Sequence, residues 1–82
     1  MALNNREKVY RALATVLDID INLINDATGP DNVESWDSFS ALMLIAELEE
    51  VFGLKFTMEE VEYIKSVGSI IDVLKRKNVQ FQ

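Results

Sequence analysis

Residues 37–53 read DSFSALMLIAELEEVFG and contain neither glycine nor proline before the last position. Asp37 is a favoured N-cap residue, which makes Ser38 the first helical residue. Gly53 is a typical residue just beyond a helix end. The segment therefore predicts a helix from Ser38 to Phe52. Its expected core face follows the 3–4-residue spacing of a helix and comprises Leu44, Ile45, Leu48, Val51 and Phe52.

A second apolar set lies on another face of this helix. A small bundle does not bury both faces of one helix, so apolar residues left outside indicate a surface for a partner. The set comprises Phe39, Leu42, Met43 and Ala46.

Three further helices are predicted around this one. Val9, Leu13 and Val16 have helical spacing and predict a first helix over about residues 4–17, with Arg6, Lys8 and Arg11 in solvent. A capping-box pattern, Thr57-x-x-Glu60, begins a short helix. The last helix is expected from near Ser66 to about Lys77, with an inner face of Val67, Ile70, Ile71 and Leu74.

The connection between the first two helices is long and rich in turn-forming residues. Residues 18–37 hold four Asn or Asp positions between 20 and 26 and a Gly29-Pro30 pair. Their apolar residues are expected to hold the loop across the bundle: Ile19, Ile21, Leu23, Ile24 and Val33. The prediction is an all-α, four-helix bundle with three longer helices, one short helix and a long first loop, forming a single domain over residues 1–82. Residues 78–82 are expected to fray.

The composition restricts the chemistry. The 82-residue chain has no Cys and no His. Thiolate nucleophiles, disulfides, zinc–thiolate sites and a Ser-His-Asp triad are therefore excluded. Carboxylates, a few lysines and unactivated hydroxyls remain, in a chain too short to enclose a deep pocket. We expect a non-catalytic binding or carrier module rather than an enzyme.

The charge is concentrated in the middle of the chain. The formal net charge is −6, and residues 31–62 carry nine acids against one base, Lys55. An acidic chain lacks the basic face that nucleic-acid binding needs. No apolar run is long enough to span a membrane, and the first residues do not resemble a signal peptide. We expect a cytoplasmic monomer that binds neither nucleic acid nor membrane.

Two acidic patterns suggest metal sites, and both are rejected. Asp18-Ile19-Asp20-Ile21-Asn22 begins like a calcium-binding loop, but Leu23 replaces the required Gly and Gly29 replaces the required Glu. Glu47, Glu49 and Glu50 all lie on the second helix. A metal site in a helical bundle needs carboxylates from facing helices and usually a His as well. No metal site is predicted. The acids form either a solvated face or a docking strip for basic partners.

Residues 34–53, which include Asp37-Ser38-Phe39 near their start, resemble the Asp-Ser-Leu segment and following helix of acyl carrier proteins. Residues 56–60 resemble the short third helix of that family, and residues 66–74 its fourth, at matching spacing from the serine. The resemblance implies that Ser38 receives 4′-phosphopantetheine from coenzyme A through a phosphopantetheinyl transferase. Asp37 would cap the helix and be recognised by the transferase. The arm would hold acyl groups as thioesters.

The resemblance also implies a partner face for the transferase and for acyl-activating or acyl-transferring enzymes with basic docking surfaces. That face comprises Phe39, Leu42, Met43, Ala46, Glu47, Glu49, Glu50, Glu59 and Glu62. Phe39 replaces the usual Leu, and Ser40 and Met43 replace common acids. A Trp directly before the Asp-Ser pair, here Trp36, is similar to the sequence of discrete carriers in specialised pathways. Packing of Trp36 against the loop explains this residue better than direct contact with the cargo does. These departures favour a specialised lipid or polyketide pathway over bulk fatty-acid synthesis.

Two alternatives remain from the sequence. One is an aminoacyl or peptidyl carrier, although its second helix is normally less acidic than one with Glu47, Glu49 and Glu50. The other, from a different class, is an unmodified helical adaptor that binds a partner helix. Only a carrier requires Ser38.

Overall fold

In a computed structural model that describes residues 4–81, the chain folds into four helices. They are α1 (Asn5–Leu17), α2 (Ser38–Phe52), α3 (Met58–Tyr63) and α4 (Val67–Arg76), and a single 3-10 turn (Ile21–Leu23) lies in the first loop. No strand occurs within residues 4–81. The predicted all-α architecture with three longer helices and one short one is confirmed.

Side-chain caps define where the helices begin. The Asn4 side chain accepts a hydrogen bond from the Glu7 backbone N–H at 2.8 Å, and Ser66 caps α4 in the same way. Thr57 and Glu60 form the predicted capping box of α3, each side chain accepting from the other residue's backbone N–H. These bonds satisfy first-turn N–H groups that have no partner inside the helix.

Helices α1 and α2 each end at a residue in the left-handed backbone conformation. Gly53 closes α2 with φ of 64°, a conformation that glycine adopts without steric cost. Asp18 closes α1 with φ of 54°, and Asp20 accepts a hydrogen bond from the Asn22 backbone N–H to begin the 3-10 turn. Two of the acids in the calcium-loop-like pattern therefore form local turns.

The core lies where α1, α2 and α4 meet. Its fully enclosed side chains include Leu13 of α1, Leu44 and Leu48 of α2, and Ile70 and Leu74 of α4. The predicted inner face of α4 is confirmed, and Val73 and Ala12 are buried in addition. The buried apolar area at this junction packs the middle of α2, from Leu44 to Leu48, against the rest of the core.

Three residues expected in the core or against it are exposed. Val51 lies at the edge of the α2 core face, in a depression that Lys8 and Arg11 of α1 do not fill. Leu23 and Ile21 are exposed, because the whole 3-10 turn (Ile21–Leu23) lies outside the core and none of its three side chains is buried. Ile24, just after the turn, takes the buried position instead. Phe52, also assigned to the core face, is half-buried.

The long loop is fastened to the start of α4 through its backbone. Val67 N–H donates to the Thr28 carbonyl and Gly68 N–H donates to the Asp26 carbonyl, both at 2.8 Å. Gly29 lies so close to α4 that an added Cβ would be 2.6 Å from the Lys65 carbonyl oxygen. A side chain there would displace backbone, so the glycine permits this close approach.

A polar cluster ties the same loop to α1. The Asp26 carboxylate accepts hydrogen bonds from the Tyr10 hydroxyl at 2.7 Å and from the Arg6 guanidinium. Arg6 was expected in solvent, and its pairing corrects that expectation. The Tyr10 hydrogen bond, followed by Arg6, lowers the pKa of Asp26 below its ordinary value.

Replacing Asp26 by Asn should make stability less dependent on pH. A carboxyl group whose pKa is lowered by folding stabilises the fold fully above its unfolded pKa of about 3.9, and the contribution is lost as the pH falls through the folded value. The Asp26 side chain is half exposed, with a relative exposure of 50%, so water screens the pair and the cost at neutral pH is about 1 kcal/mol or less. Urea unfolding of Asp26→Asn and wild type should therefore differ at about pH 6, and the difference should shrink as the pH falls through the lowered pKa of Asp26 in the folded protein. If the two free energies of unfolding differed by the same amount at every pH in this range, the lowered pKa of Asp26 would be contradicted.

The chain after α4 returns to α1. The Asn5 side-chain amide donates to the Gln80 carbonyl at 2.8 Å, and the Arg6 guanidinium lies 5.9 Å from the centre of the Phe81 ring. Val79 and Phe81 pack against the core. Residues 79–81 thus have contacts where the sequence predicted a frayed tail, because their alternate apolar residues cover α1. Gln82 lies outside the described residues.

Candidate functional site

Ser38 is the first residue of α2 and its side chain is exposed. Among the residues that the structure describes, none forms a hydrogen bond with its hydroxyl. Leu44 and Leu48 of the same helix are buried in the core, so packing positions the helix that carries Ser38. The site therefore presents an accessible hydroxyl in a fixed position.

The helix start is fixed by a capping box that does not use Ser38. The Asp37 carboxylate accepts from the Ser40 backbone N–H, and the Ser40 hydroxyl accepts from the Asp37 backbone N–H, both at 2.9 Å. The first of these bonds is the main cause that lowers the pKa of Asp37. Asp37 is the predicted N-cap. The role of Ser40 was missed, although the Asp37-x-x-Ser40 spacing of a capping box is visible in the sequence.

The neighbouring serines are both engaged. The Ser40 hydroxyl also donates to the Ser35 carbonyl at 2.6 Å and is buried with the helix start. The Ser35 hydroxyl donates to the Leu17 carbonyl at 2.9 Å, which ties the segment before α2 to the end of α1. Trp36 packs into the core between them, with 4% of its surface exposed. Of the three serines, Ser38 alone offers a hydroxyl without a partner in the described residues.

A phosphodiester fits the environment of Ser38. The first turn of α2 carries the positive end of the helix dipole, which favours an attached anion. Exposure of the side chain leaves space for a flexible arm. The Asp37 carboxylate is the nearby like charge, and it accepts a hydrogen bond from the Ser40 backbone N–H in the first turn of α2.

The apolar face predicted on α2 is exposed as expected. Phe39 has 73% of its surface exposed, Leu42 64% and Met43 48%, and Ala46 is exposed as well. Large apolar side chains with this exposure on one helix face indicate a surface that another protein covers. Phe39 is adjacent to Ser38, so a protein bound to this face would lie beside the free hydroxyl.

The acidic residues assigned to the partner face do not form one uniform strip. Glu50, Glu59 and Glu62 are exposed. Glu47 is half-buried and borders the depression that contains Lys8 and Arg11 of α1. The exposed acids at the end of α2 and on α3 are therefore the ones that a basic partner reaches most directly.

Glu49 is engaged inside the molecule. Its carboxylate accepts from the Phe56 backbone N–H at 2.9 Å and lies 3.9 Å from the Lys55 ammonium group. It thus anchors the segment that leads to α3, a role that its position on α2 did not reveal. Glu60 similarly pairs with Lys77 at 2.8 Å, which holds α3 to the end of α4 and lowers the pKa of Glu60.

Over residues 4–81, no three acidic side chains come close enough together to hold a metal ion. None of the helices in that range is long and apolar enough to cross a bilayer.

Comparison with known proteins agrees with this site. The protein-family model described as the phosphopantetheine attachment site matches residues 7–74. An acyl carrier protein of Buchnera aphidicola is 33% identical over 78 residues, which cover 94% of this chain and 96% of the relative. An acyl carrier protein of Thermosynechococcus vestitus is 32% identical over 72 residues, covering 87% and 88%.

The fold is also similar to that of a solved structure from Mycobacterium tuberculosis, which is described as a candidate acyl carrier protein. The TM-score is 0.78 at 22% identity, and the match covers 88% of this chain and 96% of the other. The chain belongs to the class of proteins that bear a phosphopantetheine attachment site. Within that class it is a member of the acyl carrier protein family, and the cofactor of this family is covalent 4′-phosphopantetheine.

Proposed function

We propose that this protein carries acyl groups as thioesters on a 4′-phosphopantetheine arm attached to the Ser38 hydroxyl. The observation that supports this choice of residue is the contrast among three neighbouring serines. Ser35 and Ser40 use their hydroxyls to hold the loop and the helix start, whereas Ser38 is exposed on the first turn of α2. The family of non-catalytic carriers to which the chain belongs requires one such hydroxyl.

The chain supplies the attachment point but not the chemistry of attachment. No described side chain accepts a hydrogen bond from the Ser38 hydroxyl, so the base that removes its proton comes from a separate phosphopantetheinyl transferase. The chain has no Cys, so the thiol that holds the acyl group comes from the arm.

The absence of Cys permits a direct test of this function. A thiol titration of the full chain gives no signal before modification. After incubation with coenzyme A and a transferase, and removal of free coenzyme A, it should give one thiol per chain. Acylation should then remove that signal. A chain that remains without a thiol under conditions that load a known acyl carrier protein would support the unmodified adaptor instead.

The partner surface combines the apolar face of α2 with the exposed acids around it. Partners of matching chemistry have an apolar patch that covers Phe39 and Met43, bordered by Lys or Arg that meet Glu50, Glu59 and Glu62. Acyl-activating and acyl-transferring enzymes and the transferase would share this surface. The apolar contacts provide burial, and the charges increase the rate of encounter.

Loading by the transferase should slow as salt rises, mainly through a weaker apparent affinity. Exposed charges are screened over about 8–10 Å near physiological ionic strength. Glu50→Lys should slow loading further and flatten its salt dependence. Asp31→Lys makes the same charge change on an exposed residue outside this surface and serves as the matched control. If loading of Glu50→Lys and Asp31→Lys had the same salt dependence, Glu50 would have no specific role in recognition by the transferase.

With this function we also propose a cellular location, an oligomeric state and a pathway class. We place the protein in the cytoplasm, where coenzyme A is available, as a monomer that forms a single domain over residues 1–82 with no nucleic-acid or membrane partner. The apolar character of Phe39 and Met43 supports a specialised lipid or polyketide pathway. Neither an aminoacyl or peptidyl carrier nor an unmodified adaptor is favoured by the relatives found.

A further inference from the structure

A small depression lies between α1 and α2, on the side of α2 that faces α1. Its volume is about 170 Å³, and it is lined by Lys8, Arg11, Ala12, Thr15, Glu47 and Val51. The short side chain of Ala12 is buried and leaves space between the two helices at this point. Val51 has 39% of its surface exposed, so an apolar side chain of α2 contacts water here.

Within the described part of the chain, the two cations of the depression have no counter-ion. Lys8 and Arg11 are about one turn apart on α1 and therefore lie on the same face. Neither side chain forms an ion pair with a described residue, and Glu47 lines the depression without pairing with them. The Glu7 carboxylate, one turn before Arg11, accepts a hydrogen bond from the Asn4 side-chain amide at 2.9 Å instead. The depression thus has an excess of positive charge in a chain whose net charge is −6.

The size of the depression suits one side chain of another protein better than a small molecule. Small-molecule sites usually enclose at least about 300 Å³, and this depression is much smaller. Val51, the Thr15 methyl group and the aliphatic stems of the two cations provide apolar walls. One apolar side chain, such as that of Leu, can displace water from these walls while carboxylates beside it pair with Lys8 and Arg11.

The charge of the depression is opposite to that of the partner face of α2. An enzyme that meets the exposed acids of that face with Lys or Arg would be repelled by Lys8 and Arg11. The depression therefore selects a different kind of surface, one that carries Asp or Glu around an apolar side chain.

The depression is also far from the attachment point. Val51 follows Ser38 by 13 residues, which is about 20 Å along α2 at 1.5 Å per residue. A segment bound beside Val51 leaves Ser38 and Phe39 uncovered. Binding here would hold the carrier without blocking access to the hydroxyl.

We propose that this depression is a second docking site, which binds an acidic amphipathic helix of a partner protein through one apolar side chain and its flanking carboxylates. The helix tethers the carrier while the partner face of α2 stays open to the enzymes that act on the arm. The site goes beyond the proposed function and does not require a modified Ser38.

NMR of the full, unmodified chain during titration with a synthetic helical peptide tests the proposal. The peptide presents one Leu, with Glu three residues before it and four residues after it on the same face. Saturable chemical-shift changes are expected at Arg11, Thr15 and Val51, and the affinity should fall as salt screens the charges. A peptide with Lys in place of each Glu should leave these signals unchanged.

Two variants and their matched controls separate charge from apolar contact. Arg11→Glu should weaken binding of the Glu peptide by about tenfold, because it removes an ion pair and adds repulsion. Lys65→Glu makes the same charge change on an exposed residue outside the depression and should alter the affinity by less than about twofold. Val51→Ser should weaken binding by about fivefold through lost apolar burial. Met58→Ser changes another exposed apolar residue and should leave the affinity unchanged.

Three results would overturn the second docking site. They are shift changes confined to Phe39 and Met43, equal losses of affinity in Arg11→Glu and Lys65→Glu, and no saturable change up to about 1 mM peptide. Unchanged signals from residues distant from the depression show that each variant is folded. The intact mass after incubation with coenzyme A and transferase tests the carrier function separately, so the failure of one proposal is distinguishable from the failure of the other.

Discussion

The Ser38→Ala protein is expected to fold normally and to acquire no phosphopantetheine. The variant removes one exposed hydroxyl that has no partner in the described residues, while Asp37 and Ser40 continue to cap α2. Its free energy of unfolding should lie within about 0.5 kcal/mol of wild type, as for ordinary surface changes. Its loading should be abolished because no other residue supplies the attachment point. Urea unfolding and the intact mass after incubation with coenzyme A and transferase measure the two effects.

Ser40→Ala is the control for this variant and should behave in the opposite way. It removes one half of the capping box and the bond to the Ser35 carbonyl, which should cost about 1 kcal/mol. It leaves Ser38 in place, so the protein should still gain one arm. A folded Ser38→Ala protein that gained the same mass as wild type would assign the arm to another residue.

Leu48→Ala should be strongly destabilising. Leu48 is fully enclosed at the junction of α1, α2 and α4. Truncation leaves a cavity in a core that relaxes only partly, with an expected cost of about 2–5 kcal/mol. In a chain of 82 residues this is a large part of the total stability, which for small domains is about 5–10 kcal/mol. A fall of that size in the urea-derived free energy of unfolding is the expected result.

Met43→Ala provides the comparison on the opposite face of the same helix. Met43 is 48% exposed, so the change should alter the free energy of unfolding by less than about 0.5 kcal/mol. It should instead weaken turnover with partner enzymes, because it removes apolar surface from the partner face. A stability loss in Met43→Ala larger than that in Leu48→Ala would contradict the assigned orientation of α2.

The features of α2 that the sequence predicted are those set by neighbours in the chain. Its cap at Asp37, its first residue Ser38 and its end at Gly53 follow from local backbone chemistry, and all three are confirmed. The split between Leu48 inside and Met43 outside follows from helical periodicity. Periodicity did not place Val51, because its exposure depends on which side chains of α1 lie opposite.

Contacts between distant segments were the features that the sequence did not reveal. Arg6 reads as a solvated residue of an amphipathic helix, and its pairing with Asp26 depends on the path of a 20-residue loop. Glu49 reads as part of an acidic face, and its bond to the Phe56 N–H depends on how the chain turns after Gly53. In both cases the decisive partner lies at a distance that no local pattern encodes.

The location of the arm on the wild-type protein directly tests the assignment of Ser38 as the attachment residue. The full chain is incubated with coenzyme A and a phosphopantetheinyl transferase, digested, and mapped by tandem mass spectrometry across residues 34–53. We expect a single phosphopantetheine on every loaded chain, attached to Ser38, with Ser35 and Ser40 unmodified. An arm on Ser35 or Ser40, or a fully folded chain that the transferase does not modify, would contradict it.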